Sequence, residues 1–252
     1  MGIDDFVTLW RLSRRRLRSE EDYRRFQALQ ATLVLKYLRR FGVGIRGKRV
    51  LDLGSGIGGY SQEMGRQGAT VISLDLIKPP GELGPSCAPV IADALAIPLD
   101  DESIDFTFCA SLIEHVNDPA RLLAEIQRTL VKGGYCYLSF PPFYSPLGGH
   151  EFSPFHYLGE HWAMRLSGRR RGRPAWVNSL YKVSPNPRSF SEIYGDWGLF
   201  KMTIAKAKRL IASSGLRIVN MSTRYLPVSL IRWPILGEIF TWHAQFLLMK
   251  PC

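Results

Sequence analysis

Five short apolar runs constrain this chain more than any other feature. They are Val50-Leu51-Asp52-Leu53, Thr70-Val71-Ile72-Ser73-Leu74-Asp75, Pro89-Val90-Ile91-Ala92-Asp93, Ile104-Asp105-Phe106-Thr107-Phe108-Cys109-Ala110 and Tyr135-Cys136-Tyr137-Leu138-Ser139-Phe140. A strand with one wet face alternates apolar and polar residues; these runs do not, so each predicts a strand buried on both faces of a parallel sheet. Helical stretches lie between them, clearest at 119–130, where Leu122, Leu123, Ile126 and Leu130 share a face and Lys132-Gly133-Gly134 reads as the stop. Strands alternating with helices predict an α/β, Rossmann-like, doubly wound fold.

Ahead of the first strand, Ser19-Glu20-Glu21-Asp22 opens like a capping box. Tyr23, Phe26, Gln30, Leu33, Val34, Tyr37, Leu38 and Phe41 then follow a 3.6-residue repeat as far as Gly42. A shorter helical piece with Phe6, Val7, Leu9, Trp10 and Leu12 runs into Arg14-Arg15-Arg16; it could lie on a membrane surface or cover the active site. The expected organisation is an N-terminal helical segment over 1–44 and an α/β domain over 45–252. Residues 141–202 are rich in Pro, Gly, Trp, Tyr and Arg and break the rhythm as an insertion. A helix near 204–213, a strand near 216–223 and a closing strand near 241–250 resume it.

With 252 residues, 46% hydrophobic and 22% charged, the chain is neither disordered nor a mini-protein. Cys87, Cys109, Cys136 and Cys252 lie far apart without C-x-x-C spacing, which argues against a zinc cage or a disulfide framework and for a reducing compartment. The start shows neither an export nor a lipidation signal, and the apolar stretch 230–249 carries Arg232, Pro234, Glu238 and His243, each unwelcome at bilayer depth. A soluble, cytoplasmic protein is expected.

The first strand is followed by Gly54-Ser55-Gly56-Ile57-Gly58-Gly59, in which Gly54, Gly56 and Gly59 fit a G-x-G-x-x-G turn. Asp75 ends the second strand, where a carboxylate would accept hydrogen bonds from both ribose hydroxyls of an adenosine. Both features suit NAD and S-adenosylmethionine alike. Asp52 separates them on charge, because a carboxylate two residues before the turn repels a pyrophosphate and suits an ammonium or sulfonium. A helix or turn cap is the plainer role for Asp52.

On these residues the chain resembles class I S-adenosylmethionine-dependent methyltransferases, the branch that includes ubiquinone and menaquinone enzymes. The likeness also rests on Ala92-Asp93-Ala94 before Ile97-Pro98-Leu99, on Asp105-Phe106, on Leu112-Ile113-Glu114-His115-Val116 with Asp118-Pro119, and on Leu130-Val131-Lys132-Gly133-Gly134. It implies a seven-stranded mixed sheet with an antiparallel last strand, and S-adenosylmethionine as cofactor. It also implies that Gly54, Gly56 and Gly58 let backbone approach the methionine portion, with Ser55 and Asp52 among the cofactor-binding residues. Asp75 and Leu76 would hold the ribose, Asp93 and Ala94 the adenine, and Ser111 would stand near the methionine end.

The segment from Pro141 to Tyr157 resembles that of actinobacterial-type methyltransferases acting on sugars of glycolipids and polysaccharides. A hydroxyl acceptor needs a base, and histidine titrates near working pH. His150, after Gly148-Gly149, is the first candidate, with Glu151 or His156 to orient it; His115 is the second. His115 and His156 could equally be packing histidines. Glu114, His115, His150 and Glu151 could also converge on a divalent metal holding a diol.

Net charge is +11, unevenly placed: residues 1–40 hold 10 basic and 5 acidic residues, 41–158 hold 8 and 13, and 159–210 hold 11 and 3. Basic ends on an acidic centre predict outer segments that meet an anionic or membrane-linked acceptor, through peripheral membrane contact. Arg165, Arg169, Arg170, Arg171, Arg173 and Lys182, interleaved with Trp176 and Tyr181, form the densest cluster. Nucleic acid fits it less well than a phosphorylated or lipid-linked glycan, since no RNA-binding module is recognisable and sugars also stack on aromatics. A solvated loop fits it too. The rival functions are methylation of a quinone, another lipid or a small aromatic metabolite, and a non-catalytic adenosylmethionine-binding adaptor.

Overall fold

The computed structural model describes residues 2–149, 152–153, 155–167, 176, 199–225 and 229–252. Helix α1 spans Ile3–Arg15 and α2 spans Glu20–Arg39, started by the Ser19 hydroxyl, which accepts the Asp22 amide at 3.1 Å. There follow β1 (Arg49–Leu53), α3 (Gly59–Arg66), β2 (Thr70–Asp75), β3 (Cys87–Ile91), β4 (Ile104–Ala110), a 3-10 turn at Ile113–His115 and α4 (Pro119–Thr129). Then come β5 (Leu130–Phe140), a second 3-10 turn at Phe155–Leu158, α5 (Glu160–Ser167), α6 (Ile204–Ser213), β6 (Arg217–Thr223), α7 (Pro234–Phe240) and β7 (Ala244–Met249).

The strands form one seven-stranded sheet in the order β3-β2-β1-β4-β5-β7-β6. All neighbours are parallel except β7, which runs antiparallel to both β5 and β6. The order reverses between β1 and β4, so the crevice at their C-terminal ends is the switch point where ligands bind in doubly wound sheets.

Each sheet face has its own core. Leu51, Leu53, Cys109, Leu138 and Phe246 pack with Leu122, Leu123 and Ile126 of α4 and Ile204, Ala207 and Ile211 of α6. Val50, Val71, Phe106, Phe108, Tyr137 and Leu247 pack with Ala31, Val34, Leu35 and Leu38 of α2 and Tyr60 and Met64 of α3. Helix α2 is thus a wall of the second core.

One expected boundary is corrected. The helix over 119–130 does not stop at Gly133-Gly134: it ends at Thr129, and Leu130 is already extended and pairs with Ile104. The glycines instead form an irregularity inside β5, where the register with β4 shifts between Ile104 and Phe106. Gly133 takes φ +74°, and a Cβ on Gly134 would lie 2.8 Å from the Val131 carbonyl oxygen. The third strand also starts two residues earlier than expected, at Cys87, and ends at Ile91. Helix α7 was not foreseen; its Glu238 carboxylate accepts the Ile204 and Ala205 amides at 2.9 and 2.8 Å and so caps α6. No helix among the described residues is long and apolar enough to cross a membrane.

Leu38 lies fully buried between α2 and the sheet. Leu38→Ala should lower the unfolding free energy by about 2–5 kcal/mol, read as a lower urea midpoint at unchanged slope. A wild-type midpoint would mean that α2 lies outside the cooperative unit.

Candidate cofactor and acceptor site

The glycine turn is built by backbone that side chains would strain. Gly54, Gly56 and Gly58 have φ of +76°, +56° and +79°, and the Gly54 and Ser55 amides donate to the Leu74 carbonyl at 2.9 and 3.1 Å. The Gly56 amide donates to the Asp75 carboxylate at 2.8 Å, which ties the turn to the end of β2. The Leu112 side chain comes within 3.0 Å of where a Cβ on Gly54 would stand, so this glycine lets β1 and the segment after β4 close on each other. The third glycine of the fingerprint meets α2: the Gly59 amide donates to Gln27 Oε1 at 3.1 Å, and any Cβ there would strike Gln27.

Two carboxyls divide the work. Asp75 sits at the rim, its other oxygen accepting the Ile77 amide at 3.3 Å, and burial pushes its pKa up while the Gly56 and Ile77 amides pull it down. Asp52 is 1% exposed, beneath the turn rather than at its mouth, and accepts the Ser61 hydroxyl at 2.5 Å. Burial pushes its pKa up to about 7, against the Ser61 hydrogen bond, with the Asp75 charge adding to the rise. It anchors the first turn of α3, the capping role set beside the charge role above.

The remaining cofactor candidates line the same edge. Leu76 is exposed directly after Asp75, and Ser55 is fully buried with no hydrogen-bond partner on its hydroxyl. The Asp93 carboxylate accepts the Leu95 amide at 2.9 Å and rigidifies the turn after β3, while Ala94 beside it is buried in the first core. Ser111 follows β4 in the left-handed region at φ +56°, its amide held by the Ser139 carbonyl at 2.7 Å. A non-glycine residue in that conformation at a ligand crevice is the kind of local strain that functional sites keep.

The base candidates separate. His150 and Glu151 lie outside the described residues. His115 is half-buried and closes the 3-10 turn after β4, its amide donating to the Leu112 carbonyl at 2.7 Å. His156 is buried, with Nε2 on the Phe143 carbonyl oxygen and its ring at 5.1 Å from that of Phe143. Burial lowers its pKa, opposed by the Phe143 carbonyl. A Cβ on Gly149 would fall inside the His156 ring, and one on Gly148 inside the Pro142 and Phe143 backbone. These glycines therefore serve the folding of the loop on itself, not the approach of a ligand.

Two features, Lys201 and Arg224, escaped the sequence reading as site elements, and Glu114, read there only as a possible metal ligand, has an unexpected setting. Glu114 is 1% exposed with neither carboxylate oxygen hydrogen-bonded, and burial pushes its pKa up to about 8. Lys201 stands 4.6 and 4.9 Å from the ring centres of Phe143 and Tyr144. Arg224, just past β6, is buried among tyrosines. It continues the two-residue spacing of Asn220 and Ser222, a readable sign that it shares their face. Among the described residues no group of three or more His, Cys, Asp or Glu side chains could hold a metal ion. Of the basic cluster, Arg165 lies over the Trp162 ring, and Trp176 donates to the Leu17 carbonyl at 3.2 Å and packs on Tyr23; Tyr181 and the other basic residues lie outside the described residues.

Residues 51–138 match the profile of a family described as a methyltransferase domain. An uncharacterised methyltransferase of Mycobacteroides abscessus is 35% identical over 155 residues, 57% of this chain and 60% of that protein. The chain spans 60% to 64% of the length of the first four such relatives. One from Mycolicibacterium paratuberculosis is 31% identical over 218 residues, covering 82% of this chain and 78% of that protein. Among solved structures, an S-adenosylmethionine-dependent methyltransferase from Mesorhizobium loti superposes with a TM-score of 0.56 at 20% identity, over 85% of this chain and 96% of that one, which shows the shared fold.

Asp52 and Glu114, both buried, make stability fall with pH. Their folded pKa values lie above the ordinary aspartate and glutamate values, about 3.9 and 4.3, so the folded state binds more protons between those values and about 7 to 8. The stabilisation is complete at low pH and is lost as pH rises through the folded values. Urea unfolding from pH 4 to pH 8 should show this decline, and Asp52→Asn and Glu114→Gln should each flatten it; an unaltered slope in both variants would refute the assignment.

Proposed function

The chain belongs to the class I S-adenosylmethionine-dependent methyltransferase family, and we propose that it methylates a hydroxyl of a sugar, glycolipid or polysaccharide precursor. The observation that carries the cofactor half is the left-handed glycine turn pinned to Asp75 at the β1–β4 switch point. The residues present fit the group: backbone without side chains at Gly54 and Gly56, a buried hydroxyl at Ser55 with no partner among the described residues, Asp75 at the end of β2 and Asp93 two residues past β3. When bound, S-adenosylmethionine supplies a methyl group on a sulfonium leaving group. Gly54, Ser55, Gly56 and Gly58 would hold its methionine portion, Asp75 and Leu76 its ribose, Asp93 and Ala94 its adenine.

For the acceptor, the protein has to orient a hydroxyl and take its proton as the new O–C bond forms. His115, immediately after β4, and His150 on sequence grounds are the candidate acceptors of that proton. His156, held on the Phe143 carbonyl, supports the loop instead. Phe143 and Tyr144 with Lys201 above them form an aromatic and cationic surface on the loop leaving β5, chemistry that suits a sugar ring bearing an anionic group. A lipid portion is favoured by one further observation. Trp233, Ile235, Ile239, Phe240 and Trp242 are all exposed along and beside α7, next to Arg232, an apolar and basic surface suited to peripheral contact with a bilayer.

Calorimetry should show S-adenosylmethionine binding in preference to NAD, and Asp75→Ala should weaken it by about 1–3 kcal/mol. Tight NAD binding without a response to S-adenosylmethionine would overturn the reading. With radiolabelled cofactor, label should enter a glycan or glycolipid fraction. His150→Ala or His115→Ala should lower turnover roughly 10²–10⁴-fold at unchanged cofactor affinity, and the wild-type rate should rise with pH through the histidine range. If neither variant loses turnover, histidine base catalysis is excluded.

A further inference from the structure

The polar residues on the α2 face of the last three strands form a connected row that leads to Arg224. The Tyr137 hydroxyl donates to Gln245 Oε1 at 3.1 Å, and Gln245 Nε2 donates to Ser222 Oγ at 2.8 Å. Asn220, one step back along β6, accepts the Tyr37 hydroxyl of α2 at 3.0 Å. Arg224 is the next residue on this face, two beyond Ser222 and past the end of β6, with its amide held by the His243 carbonyl at 2.8 Å. Tyr225 then turns the chain in the left-handed region at φ +66°, which fixes Arg224 at the rim.

Its side chain is 4% exposed, and its guanidinium carbon stands 4.7 Å from the Tyr225 ring centre and 5.9 Å from that of Tyr137. The Tyr60 hydroxyl, near the start of α3, donates to Gln30 Oε1 at 2.5 Å and keeps its oxygen turned to the guanidinium as a polar neighbour. Ring faces stabilise a cation from above and below its plane and leave its in-plane N–H donors unused. Those are the groups that lack partners among the described residues: Nε and Nη2 are both buried there without a hydrogen-bond acceptor at bonding geometry. No carboxylate among the described residues forms an ion pair with Arg224, although a buried charge left unpaired is costly.

The two orphan donors are adjacent on one edge of the guanidinium. That edge is the fork which binds both oxygens of a carboxylate or phosphate at once, a geometry lysine cannot reproduce. The fork lies on the C-terminal edge of the sheet, on the side of the glycine turn, α3 and α2.

We propose that Arg224 is the seat of a ligand oxyanion, a carboxylate or phosphate that enters this aromatic box and pairs with Nε and Nη2. This rests on the reading that the rim binds S-adenosylmethionine and its acceptor. The oxyanion comes either from the methionine carboxylate of the cofactor or from an acidic group on the acceptor.

The probes are S-adenosylhomocysteine, 5′-methylthioadenosine, which lacks the carboxylate, and inorganic phosphate compared with chloride at equal ionic strength. If the cofactor supplies the oxyanion, Arg224→Met weakens S-adenosylhomocysteine about 10–100-fold and leaves 5′-methylthioadenosine unchanged, and phosphate competes in wild type with the former only. If the acceptor supplies it, S-adenosylhomocysteine affinity is unchanged. Phosphate then raises the Tm of the wild-type complex with S-adenosylhomocysteine above the chloride control, an effect absent in Arg224→Met and reduced in Arg224→Lys.

The proposal is overturned if phosphate neither competes nor stabilises in wild type, or if its effect persists in Arg224→Met. The wild-type measurements decide even where Arg224→Met does not fold. Failure of wild type to bind S-adenosylhomocysteine would instead refute the cofactor reading, while phosphate stabilisation of the unliganded chain would still report on Arg224.

Discussion

Burial of β1, β4 and β5 on both faces is the constraint from which the other features follow. With α2 and α3 on one side and α4 and α6 on the other, the middle of the sheet has no wet surface, and charged side chains are pushed toward the strand ends. Asp52 and Asp75 show two outcomes. One lies a residue inside the end of β1 and anchors Ser61; the other ends β2 and holds the rim of the crevice. The same side chain on adjacent strands lies beneath the turn or at the rim of the crevice according to a depth of two residues along the register.

The C-terminal rim is assembled from strands that arrive in different ways. β1 and β4 reach it through left-handed backbone, at Gly54 and Gly56 and at Ser111. β5 continues into Pro141 and the loop locked by His156 on Phe143. β6 ends in the Arg224-Tyr225 turn, and β7 departs from His243. The cofactor candidates stand on the β3 to β4 side of this row, and the unassigned cation stands on the β6 side. A ligand lying across the sheet would therefore meet amides and carboxylates at one end and a guanidinium fork at the other.

Much of this was legible in the sequence, for physical reasons. Unalternating apolar runs gave β1, β2 and β4 to within a residue, because double burial leaves no position for a polar alternate. The Ser19 cap, the 3.6-residue repeat of α2 and the Asp118-Pro119 start of α4 are local signals with local causes. Gly133-Gly134 misled because a glycine after a helical run has two uses, as a helix stop and as an irregularity in a strand, and only the pairing of Ile104 with Leu130 decides between them. His156 and Gly148-Gly149 were ambiguous for the same reason, since tertiary packing fills the space that glycine leaves. Arg224 was missed because a charge at a strand end reads as solvated; its enclosure by Tyr60, Tyr137 and Tyr225 joins residues more than 160 positions apart.

The contact of Gln27 with Gly59 has an electrostatic consequence. A helix start carries a partial positive charge on its free amides, which is why this turn suits pyrophosphate in dinucleotide-binding proteins. Here the first amide of α3 is taken by Gln27 Oε1, and the Asp52 carboxyl lies below the same turn on Ser61. The helix dipole is muted from the flank and from beneath. A ligand whose nearest charges are an ammonium and a sulfonium would meet a helix start less positive than a bare one, and α2, by position alone, becomes a determinant of which charge the glycine turn can receive.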